Sequence, residues 1–206
     1  MSNAEAAIAG AAPVAEEDRL RADAYALISR LLIRSPKADL LAQVGALGGG
    51  EDPFGAAVAA LASEARATSE AAVKDEFHAL FIGLSEGELQ PYASYYRAGG
   101  IYRKPLAELR SDLSRLGISR DDAVKEPEDH IAILCEVMAA LILGRLGGAP
   151  APLAEQRCFF DDHIAPWAQQ FFADLEAASA ARFYRPLGRI GALFLAIESE
   201  GFDIAD

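Results

Sequence analysis

The sequence predicts an all-α, single-domain helical bundle, and three observations carry that prediction. Residues are 52% apolar but only 8% aromatic, with Ala and Leu dominant, a composition that favours helix over strand. Apolar residues recur with helical spacing in one segment after another, most clearly at Ile131, Leu134, Cys135, Met138, Leu141 and Ile142. No run of alternating β-branched residues marks a strand. At 206 residues the chain suits one domain with a substantial core and would be cramped as two. The expected division is a mobile leader over 1–17 and one helical domain over 18–206.

From Asp18, the positions Leu20, Ala24, Leu27, Ile28 and Leu31 mark a first amphipathic helix, stopped by Ser35-Pro36. Leu40, Leu41, Val44 and Leu47 give a short second helix closed by Gly48-Gly49-Gly50. A third begins near Asp52-Pro53 and runs through Val58 and Leu61, with alanine on every side. Val73, Phe77, Leu80 and Phe81 place a fourth, which ends at Gly83. The stretch 84–102 has no helical period and holds Gly87, Pro91, Gly99, Gly100 and three tyrosines, Tyr92, Tyr95 and Tyr96. A long irregular loop with its own aromatic residues is often functional. Helix returns from Lys104 to Leu116, with Leu106, Leu109, Leu113 and Leu116 on one face and Gly117 as its cap. Further on, Phe159, Phe160, Ile164, Trp167, Phe171 and Phe172 lie between Leu153 and Leu175, where Pro166 either starts a new helix or kinks the old one. A last helix runs from about Phe183 through Ile190, Leu193, Phe194 and Ile197.

The chain is organised around Glu126-Pro127-Glu128-Asp129-His130 and the helix expected to open there. Pro127 suits the first helical position, and the residue before a proline is pushed out of the α region, which makes Glu126 the boundary. Glu128 and Asp129 then fall in the first turn and complement the helix dipole. Ile133, Val137 and Leu143 widen the apolar stripe until the helix is apolar nearly all round, as a central helix would be. Gly144, Gly147, Gly148 and Pro150 end it. The dipole accounts for Glu128. It accounts less well for a histidine at the head of an apolar helix, near the loop that carries the tyrosines.

With 31 acids against 19 Lys plus Arg, the net charge of −12 repels nucleic acid and anionic lipid and attracts basic partners. Cys135 and Cys158 sit in apolar helical contexts, which argues against a disulfide framework and fits a reducing cytosol. No apolar run approaches the ~20 residues that span a bilayer, and the first residues form no secretory signal. A cytoplasmic protein with no integral membrane segment and no nucleic-acid partner is expected. There is no phosphate loop and no serine nucleophile elbow, and Cys135 reads as core. Glu126 and His130, at i and i+4, could share a metal, and Asp162 precedes His163. The paired Glu-x-x-His pattern of carboxylate-bridged bundles is missing, so no catalytic, cofactor or metal residues are assigned. The rival reading is a helical metal-dependent enzyme using Glu126, Asp129 and His130, with His78 or His163. A DNA-binding regulator would need a basic helix-turn-helix, which the acid-rich N-terminal helices do not offer.

Glu126-Pro127-Glu128-Asp129-His130 resembles the E-P-x-D-H signature of the TorD/DmsD/NarJ family of cytoplasmic chaperones. Phe77-His78-Ala79-Leu80-Phe81-Ile82-Gly83 is similar to that family's helix end, aromatic-x-x-L-F-x-G. Pro91-Tyr92-Ala93-Ser94-Tyr95-Tyr96 resembles its proline-aromatic-x-Ser-x-aromatic loop. His163-Ile164-Ala165-Pro166-Trp167 reproduces its H-x-x-P-W segment, and Phe183-Tyr184 its final F-Y helix. Together these run roughly from Asp18 to Glu200. The stretch between Gly83 and Pro91 departs from the pattern, being acidic at Glu86 and Glu88 where members often carry glycine and prolines.

The resemblance implies a TorD-like helical bundle that is not an enzyme and has no cofactor of its own. Its implied partners are the catalytic subunit of a molybdenum-cofactor oxidoreductase and that subunit's twin-arginine signal peptide, held until the cofactor is inserted and export can follow. Monomer or dimer is expected, since such bundles can exchange halves through a connection such as 117–126. In chemical terms Asp129, with Glu126 or Glu128, would accept guanidinium groups in forked hydrogen bonds. Leu80, Phe81, Tyr92 and Tyr96 would line a groove for the apolar segment that follows. Ser94 and His130 complete the implied peptide-binding set, with the role of His130 open.

Overall fold

Helices form almost wherever the apolar period is helical. The structure is a computed structural model that describes residues 14–84, 86–100, 104–119, 125–146 and 149–205. Helix α1 spans Glu16–Leu32, and Glu16, Glu17 and Asp18 fill its first turn, where acids complement the dipole. The last two residues of the expected 1–17 leader are therefore helical, and residues 1–13 lie outside the described ones. Helices α2 (Ala38–Gly45) and α3 (Pro53–Ala67) follow. The Asp52 carboxylate caps α3, accepting from the Phe54 and Gly55 N–H groups at 3.0 and 2.9 Å. Helix α4 (Glu70–Phe77) passes into a π-helical turn, His78–Ile82. Gly83 stops it at φ 64, where a Cβ would lie 1.9 Å from the Glu86 carbonyl oxygen.

The expected irregular stretch 84–102 contains a short helix, α5 (Ala93–Ala98). Six residues are too few for a period to register in sequence, and the turn is held from outside. The Ala93 N–H donates to the Asp129 carbonyl at 3.0 Å, and the Ser94 N–H to the Asp129 carboxylate at 2.8 Å. Asp129 thus caps α5 from a segment some 35 residues away. Helices α6 (Lys104–Arg115), α7 (Ile131–Leu143), α8 (Leu153–His163), α9 (Ala165–Ala177) and α10 (Tyr184–Ile204) complete the described chain. Pro166 falls at the start of α9, so it opens a new helix. The connection 117–126 lies partly outside the described residues, at 120–124.

Nine of the thirteen residues of α7 are buried, and this helix packs against α1 and α8. Helix α10 packs on α9 and α3, α2 on α3, and α5 on α6 and α9. Close approach of α9 and α10 requires Gly191, where a Cβ would stand 2.2 Å from the Phe172 ring. A polar clamp ties α1 to α10: the Arg21 guanidinium forks onto Glu198 at 2.7 and 2.9 Å, and the Tyr25 hydroxyl donates to the same carboxylate at 3.0 Å. Burial pushes the Tyr25 phenol pKa up, and Glu198 pushes it further. Burial alone would lower the pKa of Arg21, but the bonds from Glu198 hold it above its ordinary value. Among the described residues no helix is long and apolar enough to cross a membrane.

Candidate functional site

The acidic motif does not open α7 at Pro127, as its sequence suggests. Pro127 to His130 forms a turn closed by the His130 N–H on the Pro127 carbonyl at 3.1 Å. His130 is the N-cap of α7, its Nδ1 accepting from the Ala132 N–H at 3.0 Å. Glu128 and Asp129 precede the helix. The physical reason is competition for the backbone. The Ile131 N–H donates to Pro91, Asp129 accepts from Ala93, and Tyr92 and His130 form an isolated antiparallel bridge. These bonds hold residues 129–131 against the loop before α5 and delay the helix by four residues.

Two pairs of residues emerge with different surroundings. Asp129 and His130 are 0% and 5% exposed. One carboxylate oxygen of Asp129 accepts from the Ser94 N–H at 2.8 Å and the Ser94 hydroxyl at 2.5 Å; the other is buried and has no hydrogen-bond partner among the described residues. Burial pushes the His130 pKa down to about 3, so its ring is neutral and cannot oppose an arginine as a cation. The Tyr92 ring meets it edge-on, 5.2 Å between centroids. Glu126 and Glu128 lie nearer solvent. Glu126 accepts from the Tyr92 hydroxyl at 2.7 Å, and Glu128 holds the Arg110 guanidinium in a fork at 3.1 and 2.8 Å.

Glu126 and Glu128 border a groove of about 380 Å³ with Leu113, Ile118, Ile133 and Val137 in its walls and Glu136 as a third acid. Ile133, Glu136, Val137 and Ala140 stand at i, i+3, i+4 and i+7, one face of α7. Glu136 is exposed and makes no ion pair among the described residues. Sequence reasoning passed over it, although a single charge inside a thirteen-residue apolar helix was a usable signal.

The expected aromatic groove is not assembled from the four residues named for it. Leu80 is fully buried in the core. Phe81 is half-buried against Phe77 and Tyr184, at centroid distances of 5.0 and 5.6 Å. Tyr96 donates its hydroxyl to Asp174 at 2.9 Å and packs on Trp167 and Phe171. Of the site residues expected in that loop, Tyr92 and Ser94 join the acidic turn, through Glu126 and Asp129.

The three histidines have separate surroundings: His78 is exposed, His130 caps α7, and His163 Nε2 pairs with Asp112 at 2.8 Å. Among the described residues no three His, Cys, Asp or Glu side chains are placed to hold a metal ion. Burial pushes the Cys135 thiol well above its ordinary pKa, away from the thiolate a nucleophile needs.

A pH prediction follows from His130. Its folded pKa of about 3 lies below the ordinary ~6.5 of an unfolded histidine. Between those values the unfolded chain binds a proton that the folded chain does not, so stability falls as pH is lowered through that window. From pH 7 to pH 5 this residue should remove about 2 kcal/mol. His130→Asn keeps a capping acceptor but cannot titrate. Urea unfolding at the two pH values should show the wild type losing about 2 kcal/mol more than the variant; equal losses would mean His130 is solvated.

The family model described as nitrate reductase delta subunit matches residues 49–173. A protein named chaperone protein TorD from Vibrio cholerae serotype O1 is 27% identical over 126 residues, covering 58% of this chain and 57% of the relative. A TorD from Aeromonas salmonicida is 28% identical over 145 residues, covering 68% of this chain and 63% of its own length. A Haemophilus influenzae protein named as a probable Tat proofreading chaperone, DmsD, is 29% identical over 117 residues, 56% of this chain and 54% of that one. The chain thus spans a little over half the length of most of these curated relatives. In fold it is similar to a crystal structure described as a redox enzyme maturation protein from Archaeoglobus fulgidus, with a TM-score of 0.57 at 23% identity, covering 86% of this chain and 94% of the other.

Proposed function

Because the chain belongs to the nitrate reductase delta subunit family, we propose that it is a cytoplasmic chaperone for a molybdenum-cofactor oxidoreductase. It binds the twin-arginine signal peptide of the catalytic subunit, the apoprotein, or both, until cofactor insertion is complete. The chaperone names of its TorD and DmsD relatives support the general role. The observation that carries the peptide-binding part is the groove with apolar walls and three acids, Glu126, Glu128 and Glu136.

A twin-arginine peptide offers two guanidinium groups followed by an apolar segment. Glu126 and Glu136 accept guanidinium in charge-assisted bonds, and the walls formed by Leu113, Ile118, Ile133 and Val137 take the apolar side chains. Glu128 already holds Arg110 in the fork that a peptide arginine needs, so the peptide engages it by exchange with Arg110. Asp129 and His130 act behind this surface as positioning residues, one locking the Ser94 turn and the other capping α7. The −12 charge speeds encounter with a basic peptide. No step requires bond-breaking chemistry. The metal-dependent alternative loses its footing in the same contacts, since His130 Nδ1 is committed to Ala132 and Asp129 to Ser94.

Calorimetric titration with a synthetic twin-arginine peptide and its twin-lysine counterpart tests this reading. Lysine cannot reproduce the planar fork, so the arginine peptide should bind at least about tenfold more tightly. Equal affinities, or no binding of either, would count against it.

A further inference from the structure

Exposed apolar side chains gather on one face of the bundle. Three of the large exposed ones, Leu20, Leu153 and Ile197, line a groove of about 430 Å³ where the start of α1, the start of α8 and the end of α10 meet. A fourth, Ile204, precedes Ala205, which lines the end of that groove. The four are 42–85% exposed and come from three helices. The core does not need them, since Phe194 and Phe202 on the same groove are already buried. Single exposed apolar residues need no explanation, but a contiguous set around a groove marks an interaction surface.

The groove has the shape of a trough between two helices. Leu20 and Ala24 stand at i and i+4 on α1, and Ile197, Gly201 and Ala205 at i, i+4 and i+8 on α10, so each set shares one face. The α10 side is about 12 Å long, a little over two helical turns. Gly201 keeps its middle open, for a Cβ there would meet nothing within 4 Å. A trough of this kind takes the apolar stripe of a partner helix.

Charge says which kind of helix. Glu16, Glu17 and Asp18 fill the first turn of α1, and Glu17 is exposed and makes no ion pair among the described residues. Arg21 is the one described cation that lines the groove, and its guanidinium is committed to Glu198 and Asp18. The last turn of α10 holds no basic residue, so the negative end of its dipole is left for a cation from outside. A second copy would bring acid against acid. Residues 1–13 contain no Lys or Arg and cannot supply the missing charge. We propose that the α1–α10 trough is a docking surface for an amphipathic helix of another protein, one with basic side chains flanking its apolar stripe. It shares no lining residue with the α6–α7 groove, so its test does not depend on signal-peptide binding.

The experiment photocrosslinks the full chain to a short Leu/Lys peptide whose leucines, one of them photoleucine, lie on one helical face. Crosslinks are expected on the first turns of α1 and the last turns of α10. Gly201→Phe fills the trough, and Leu20→Ser/Ile197→Ser strips its walls. Each should cut the yield at these helices at least about tenfold. All three positions are exposed, and circular dichroism checks that each variant remains folded. Leu47→Ser/Leu84→Ser removes two exposed leucines elsewhere and should leave the yield unchanged. A Leu/Glu peptide with the same apolar face should crosslink there at least about tenfold less. Absence of crosslinks at these helices, equal yields from the two peptides, or indifference to Gly201→Phe would overturn the proposal. So would displacement by a twin-arginine peptide, which would make the face part of the signal-peptide site. A wild-type dimer in sedimentation that Leu20→Ser/Ile197→Ser returns to monomers would assign the face to a second copy. A several-fold higher yield from a chain lacking residues 1–13 would make that segment the occupant, and either result would equally overturn the proposal.

Discussion

Glu198→Ala should lower the free energy of unfolding by about 3–5 kcal/mol, the range for removing one partner of a buried ion pair. Glu198 is 4% exposed and serves two donors at once, the Arg21 guanidinium and the Tyr25 hydroxyl. Its loss leaves Tyr25, at 0% exposure, with an unpaired hydroxyl in the core. Arg21 is better placed to recover, because its side chain is 16% exposed and also reaches Asp18 at 2.9 Å. That relief argues for the lower half of the range. Glu198→Gln keeps acceptor and shape and should cost less, since hydrogen bonds survive while the charge is lost. Denaturant unfolding of the two variants measures the order directly, and a loss below about 1 kcal/mol for Glu198→Ala would show that water replaces the clamp.

Asp129 carries the second large effect. Asp129→Ala removes the acceptor for both the Ser94 N–H and the Ser94 hydroxyl in a fully buried setting. Each donor left unsatisfied costs about 1–3 kcal/mol, so a total of about 2–6 kcal/mol is expected, with α5 and the Tyr92 bridge loosened first. Asp129→Asn retains one acceptor oxygen for Ser94 and should cost roughly 1 kcal/mol. The same variant separates positioning from direct contact. As a positioning residue, Asp129→Asn keeps affinity for a twin-arginine peptide within about threefold. As a direct acceptor of arginine it would lose roughly ten- to a hundredfold. Stability and peptide titration on one preparation decide between the two.

The order of the helices other than α5 could be read from the chain, because it rests on apolar period and on local stop signals. The start of α3 at Asp52-Pro53 is of that kind, whereas Pro166 alone allowed either a new helix or a kink, and the structure starts α9 there. What could not be read depends on contacts between distant segments. Helix α5 exists because Asp129 caps it from across the fold, and six residues around three tyrosines carry no period to betray that. The start of α7 was misplaced for the same reason. Pro127, Glu128 and Asp129 form a good helix opening locally, but hydrogen bonds to Pro91 and Ala93 hold the backbone in a turn until His130. In the site, residue type located the acidic turn but not which acids face solvent. Burial divides Asp129 from Glu126 and Glu128, and no local pattern encodes it. Leu80, Phe81 and Tyr96 matched an expected groove by type, and the fold spends them on the core, on Tyr184 and on Trp167. Glu136 was legible and overlooked; Arg110 became meaningful only when α6 met the turn.

In the proposed function, acids at the rim of the α6–α7 groove accept the arginines of a signal peptide. Calorimetric titration of the twin-arginine peptide into wild type, Glu126→Gln/Glu136→Gln and Glu51→Gln/Glu200→Gln tests it most directly. Both double variants remove two negative charges, but the second removes them from exposed positions away from the groove. The groove variant should lose at least about tenfold in affinity, together with most of its preference for arginine over lysine. The control should stay within about threefold of wild type. Equal weakening of the two variants would rule out these acids as the arginine site, because binding would then follow net charge and not the groove.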